Sequence, residues 1–176
     1  IHEFKSKNKF DYIVFAPPFV PIPSGTRYML SGYGEQDGLE LVHELFRKLP
    51  YLSKSDTAIS IISMSPGDKN LSILERMFID RYYGKNFKIL SNDIYGSVAP
   101  IEVAYRPFRK EKNFKQWKRW LKDNDYTHMH YLFINMFSSK GYSFERILQT
   151  PSLEDSPDSG TWKAMYDVIQ NTKNHA

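Results

Sequence analysis

Chemistry first becomes possible at Ala16-Pro17-Pro18-Phe19, directly after the apolar run Phe10-Asp11-Tyr12-Ile13-Val14-Phe15. Neither proline has an N–H to donate, so strand pairing has to stop there. Each also drives the residue before it toward extended geometry. A stiff exit with unpaired carbonyls and the ring of Phe19 at its tip suits the gripping of a flat polar group; the alternative is a plain proline-rich turn after a hydrophobic strand. Two other places carry useful residue types. His128 and His130 stand two apart, which puts both on one face of a strand. That spacing is common among metal ligands, but no third ligand is evident, so structural or substrate-contacting histidines are the better reading. The third place is Arg109 to Asp125, where Arg109, Lys110, Lys112, Lys115, Lys118, Arg119 and Lys122 interleave with Phe114, Trp117, Trp120 and Leu121. Either this is an amphipathic helix docked by its aromatics, with lysines for solubility, or its basic face (109–125) contacts RNA or DNA phosphates. Such contacts add affinity without reading sequence.

The elements that position these residues follow from periodicity. Phe10 to Phe15 reads as a buried strand, and the long segment Val20 to Gly38 as either a lid carrying Arg27, Tyr28, Met29 and Tyr33 or a surface loop. Asp37, with Glu40 three residues on, predicts a capped start for a helix over Leu39 to Leu49 that Pro50 should end, with His43 solvated among charges. Ala58 to Met64 is a strand, so strand, helix and strand make a β-α-β unit with the two strands adjacent and parallel. Ser65-Pro66-Gly67-Asp68 then turns the chain out at the carboxyl edge of the sheet, where ligands sit in open α/β folds. A helix over Leu71 to Tyr83 stops at Gly84. Phe87–Ser91 and Ile101–Tyr105 are short strands, and Thr127–Phe137 is the longest strand signal. The proline-bearing acidic segment 151–160 reads as a linker, and 161–176 as a short helix, with Trp162, Met165, Tyr166 and Ile169 on one side, followed by a tail.

Composition sets the bounds. A chain of 176 residues with 15% aromatics has room for one folded domain and a sizeable core. Zero cysteines exclude disulfides, thiolate metal sites and a cysteine nucleophile. No run approaches the length of a membrane span and no charged-then-apolar leader opens the chain, so a cytoplasmic protein is expected. A formal charge of +4 is too mild to imply a nucleic-acid partner without clustering.

Residues Phe10 to Phe19 resemble the fourth strand and following loop of class I S-adenosylmethionine-dependent methyltransferases, in the version with an Asn-Pro-Pro-Tyr or Asn-Pro-Pro-Phe loop typical of amino- and amide-nitrogen methylators. Gly34-Glu35-Gln36-Asp37-Gly38-Leu39-Glu40-Leu41 is similar to the acidic, Gly-rich entry to the next helix in the methyltransferase small domain family, which includes the release-factor glutamine methyltransferases. The likeness is good from Phe10 to about Asp68, looser to about Phe137 and absent beyond. It implies an α/β fold: a Rossmann-like class I methyltransferase sheet with helices on its faces, of which residues 1–150 are the C-terminal, substrate-side half. The sequence has no G-x-G-x-G turn, so S-adenosylmethionine would be held by an N-terminal cofactor-binding half. The resemblance places the acceptor at Ala16, Pro17, Pro18 and Phe19, with backbone contacts from the first two and stacking on the ring. Ala16 stands where the family has Asn, whose side chain accepts from the target nitrogen, so only carbonyls remain there. The acceptor, a protein glutamine, a nucleic acid or a small molecule, stays open. A non-catalytic, RNA- or protein-binding module derived from such an enzyme is the alternative.

Overall fold

The computed structural model describes residues 4, 6–18, 20–21, 36–104, 110 and 113–147, the side chains of 94–97 excepted. Five strands, β1 (Phe10–Phe15), β2 (Ser53–Gly67), β3 (Phe87–Pro100), β4 (His128–Ser138) and β5 (Ser143–Ile147), form one sheet in the order β1-β2-β4-β3-β5. The helices are α1 (Glu40–Leu52), α2 (Ile73–Tyr82), α3 (Ile101–Ala104) and α4 (Phe114–Asp123). β1 and β2 are adjacent and parallel, with Tyr12 opposite Ala58 and Phe15 opposite Ile61, as the β-α-β spacing predicts. The rest of the sheet is mixed. β4 runs antiparallel to both β2 and β3, and β5 parallel to β3. The reversal has a local cause. The Thr127 N–H donates to the Gly67 carbonyl at 2.8 Å and the Ile101 N–H to the Thr127 carbonyl at 3.0 Å. β4 therefore starts where β2 and β3 end, and can only run back between them.

Alternation divides the sheet into two faces. One carries Ile59, Ile61, Ile89, Leu132, Ile134 and Met136, covered by Leu39, Val42, Leu45, Phe46 and Leu49 at α1 and by Leu74, Phe78 and Tyr82 of α2. Phe46 meets Phe78 edge to face at 5.1 Å. Among the described residues the opposite face is covered at one end, where Met64, Ala99 and Met129 pack against Ile101 and Ala104 of α3 and Phe114, Trp117 and Leu121 of α4. Toward β1, Tyr12 and Val14 are 56% and 68% exposed. The expectation of a buried β1 is thus corrected. Among the described residues β1 is an edge strand, and an apolar composition cannot by itself tell an edge from a centre.

Other boundaries moved for identifiable reasons. α1 does not stop at Pro50 but carries it in its last turn and ends at Leu52. Proline there forfeits one hydrogen bond, while Leu52 gains burial and the Leu49 carbonyl accepts from both the N–H and the hydroxyl of Ser53. Asp37 is not the cap itself. Its carboxylate accepts from the Leu39 N–H at 2.8 Å and faces His43 Nε2 at 3.1 Å, and this bond, against partial burial, holds the imidazole above its ordinary pKa. His43 is paired rather than simply solvated. β2 outruns the expected Ala58–Met64 at both ends, and β3 continues through the segment read as a loop by shifting register between Asp93 and Val98. The strand expected over Ile101–Tyr105 is not formed by its described residues: Ile101–Ala104 forms a helical turn that buries Ile101 and Ala104, three apart. The basic helix is shorter than 109–125, spanning Phe114–Asp123, and β5 had no counterpart in the sequence reading. The linker 151–160 and helix and tail 161–176 lie outside the described residues.

Candidate functional site

The chain leaves β1 at the carboxyl edge of the sheet. Ala16 is exposed, Pro17 buried and Pro18 half-buried, while Phe19 and the proposed lid residues Arg27, Tyr28, Met29 and Tyr33 lie outside the described residues. Val20 is half-buried against the cluster built by Met64, Met129, Phe114 and Trp117. At the far end of the same connection, the Gln36 carbonyl accepts from the Trp117 indole N–H at 2.8 Å. One end of the segment that follows the prolines therefore packs on the cluster to which α4 contributes, and the other is bonded to α4 itself. Spacing along the chain did not link the proline exit to the basic helix; the fold brings them together.

α4 presents two stripes. Phe114, Trp117 and Leu121 are buried, whereas Lys115, Lys118, Arg119 and Lys122 are exposed, with Lys118 paired to Glu102. Between them, a cleft of about 150 Å³ is lined by Gln36, Asn113, Gln116, Trp117 and Trp120. Trp120 is braced edge to face by Tyr126 at 5.6 Å.

Ser65-Pro66-Gly67 does not turn the chain out but continues β2 in pairing with β4, and the turn comes only after it, at Asp68–Leu71. On the other face, beneath that turn, lies a buried polar network that sequence reasoning missed. The Ser72 hydroxyl and Glu75 close a capping box at the start of α2: Glu75 N–H donates to Ser72 Oγ at 3.1 Å, and Ser72 N–H to Glu75 Oε2 at 2.8 Å. Ser91 Oγ donates to Glu75 Oε1 at 2.7 Å. Arg146 enters from β5, with Nη2 3.0 Å from both Asp93 carboxylate oxygens and Nε 3.5 Å from Glu75 Oε1, too far for a hydrogen bond. Glu75 and Asp93 are 0% and 1% exposed, so the guanidinium is the charge that makes their burial tolerable. Burial pushes the Asp93 carboxyl above its ordinary pKa, against the pull of Arg146. Ser72-x-x-Glu75 was a readable capping-box signature, but nothing in the spacing of Asp93 and Arg146 announces that they meet.

The same network settles one histidine. His130 Nδ1 lies 2.9 Å from Arg146 Nη2, which can only donate, and Nε2 lies 2.7 Å from the Asp68 carbonyl, which can only accept. The ring is therefore neutral with its proton on Nε2. Burial lowers its pKa to about 4, outweighing the Asp68 carbonyl and the nearby Glu75. His128 shares the face, as the period of two requires, but its Nδ1 meets Thr127 Oγ1 at 2.9 Å. Among the described residues no group of three His, Asp or Glu side chains could hold a metal ion. His130 is a structural histidine.

At the turn itself, Asp68 Oδ1 accepts from the Asn70 and Leu71 N–H groups, and with Arg76 these bonds hold its carboxyl below its ordinary pKa despite partial burial. Gly67 is needed for close approach: a Cβ there would overlap the Leu71 carbonyl and lie 2.6 Å from Ser72 Cα. The Asp68 carboxylate is thus committed within the turn. No protein-family model and no curated protein matches this sequence.

Proposed function

We propose that this chain is the substrate-side portion of an S-adenosylmethionine-dependent methyltransferase, transferring a methyl group to a planar amide, amine or nucleobase-like acceptor. The observation that carries the reading is the placement of Pro17-Pro18 at the carboxyl end of a strand that pairs in parallel with β2 across α1. That is the edge at which open α/β sheets bind ligands. The residues here do not by themselves fit the methyl donor, since no G-x-G-x-G turn is present. The donor half would instead be seated on the edge of β1 that no described strand pairs and on the exposed Tyr12 and Val14, an apolar surface that a partner would cover. The work left to this chain is positioning. Ala16 and Pro17 offer carbonyls to the acceptor, Phe19 its ring, and orientation of this kind can supply most of a barrier reduction. A neutral nitrogen acceptor loses its proton after transfer, so no general base is required.

The test is labelled methyl transfer by the complete natural polypeptide. Phe19→Ala should lose stacking worth ~1–3 kcal/mol, about ten- to a hundredfold in acceptor turnover. Ala16→Asn should raise transfer to an amide or exocyclic amine if that chemistry is dormant, and lower it if the site is shaped for another acceptor. Should both variants fold and methylate unchanged, the proline exit is not the acceptor site. The non-catalytic binding module then takes over, a reading favoured by Ala16 in place of the nitrogen-holding Asn.

A further inference from the structure

We infer that the hollow between the C-terminal ends of α1 and α2 and the start of β2 binds a small oxyanion carried on an apolar body. The hollow measures about 170 Å³, which suits a single ring rather than a drug-sized molecule. Its floor is apolar, with Leu49 of α1, Ile59 of β2, Phe87 of β3 and Met136 of β4. Its charged residues, among those described, are Lys54, Arg81 and Lys85, all cations. Lys54 is answered by Asp11 at 2.5 Å, an exposed pair that weighs little. The other two face rings instead of acids. The Arg81 guanidinium carbon lies 5.3 Å from the Phe46 ring centre and 5.9 Å from that of Tyr82, and Lys85 Nζ lies 5.4 Å from the Tyr82 ring centre. Such contacts offset part of the cost of the charges, but among the described residues neither cation has a carboxylate partner. The Tyr82 phenol is no counter-ion: burial raises its pKa, outweighing the pull of Arg81, so it stays protonated. Nor is either cation needed to close the end of α2. There the Ile79 carbonyl accepts from the Tyr83 N–H at 2.8 Å, and the Tyr82 carbonyl from the Lys85 N–H at 3.0 Å. A half-buried guanidinium without a counter-charge can grip an oxyanion with two hydrogen bonds from its fork. Lys85 is exposed, and its flexible stem can bring the ammonium onto the same anion. A bare anion leaves the apolar floor uncovered, whereas one attached to a ring covers it. The hollow lies where β2 and β3 begin, at the end of the sheet opposite the proline exit, so the site is separate from the one read as the methyl acceptor's.

The experiment is isothermal titration calorimetry of the full chain at low salt with phenyl phosphate, benzoate, inorganic phosphate and uncharged phenol. Saturable binding of phenyl phosphate and benzoate at one site is expected, with a Kd of about 0.1–1 mM. The tighter of the two tells whether the site prefers a phosphate or a carboxylate. Inorganic phosphate should bind more weakly because it leaves the floor uncovered, and phenol should not saturate. Arg81→Gln should weaken both aromatic anions about ten- to a hundredfold. Arg81→Lys, which keeps the charge and loses the fork, should fall in between, and Lys85→Gln should weaken binding by less than Arg81→Gln. Because Arg81 lies over Phe46 and Tyr82, circular dichroism accompanies each titration, and Lys85→Gln, at an exposed position, decides the matter if Arg81→Gln unfolds. Three results would overturn the inference. One is no binding of either aromatic anion at about 10 mM. Another is phenol or inorganic phosphate bound as tightly as phenyl phosphate. The last is a folded Arg81→Gln or Lys85→Gln variant that binds like the native chain. Methyl transfer is read by turnover at the other end of the sheet and stands or falls separately.

Discussion

His130→Gln should flatten the acid limb of the stability curve. In the native protein the imidazole is held neutral between a donor, Arg146, and an acceptor, the Asp68 carbonyl, at 0% exposure. Its folded pKa is about 4 against 6.5 in the unfolded chain. A depressed value means that protonation favours unfolding. The stability it represents is intact above pH 6.5 and drains away as the pH falls toward about 4. At 1.36 kcal/mol per unit this amounts to about 3 kcal/mol, a large part of the stability of an ordinary domain. Glutamine reaches the same carbonyl but does not titrate, so the variant pays a fixed cost at neutral pH and loses none of this increment on acidification. Asp93 works in the opposite direction, since its raised pKa makes proton uptake favour the folded state. It shares Arg146 with His130, so its part in each curve is separated by placing Asp93→Asn in both backgrounds. Urea denaturation at closely spaced pH values between 7 and 4, with m held constant, gives both curves. If they run parallel to within about 0.5 kcal/mol, the neutral, Nε2-protonated ring is wrong and so is the hydrogen-bond chain drawn through it.

Arg146→Met leaves two buried carboxyls without their counter-charge and should cost about 3–5 kcal/mol by chemical denaturation; a loss under about 1 kcal/mol would mean the guanidinium is not what makes their burial tolerable. Ser72→Ala removes the hydroxyl half of the capping box and should cost about 1 kcal/mol by the same measurement. Gly67→Ala forces backbone apart where α2 begins and should destabilise by about 1–3 kcal/mol, read as a lowered midpoint temperature. Phe19→Ala, assayed by labelled methyl transfer in the complete polypeptide, should fall about ten- to a hundredfold.

Much of the fold was legible because it rests on local pattern. Leu39, Val42, Leu45, Phe46 and Leu49 recur at helical spacing, and all five are buried. The run Thr127–Phe137 matches β4 to within one residue, and the strand–helix–strand spacing led to the parallel pairing of β1 with β2. Those signals live in neighbouring residues, and the hydrophobic effect turns them into structure whatever the distant chain does. Other features depend on which distant segments meet. The run Phe10–Phe15 is apolar enough for a sheet centre, yet only strand order decides that it is an edge among the described residues. Ser-Phe-Glu-Arg-Ile is too short to announce β5, which is held by pairing with β3 and by Arg146 reaching Asp93 across 53 positions of sequence. Likewise, His128 and His130 look equivalent in the sequence. Tertiary contact alone separates them, burying one against a guanidinium and a carbonyl and leaving the other half-buried beside Thr127. The residue types around the proline exit and along the basic helix could be read directly. That the two share one edge was decided by Trp117 reaching Gln36 and by Val20 packing beside it, because a hydrogen bond across 81 positions has no periodicity to reveal it.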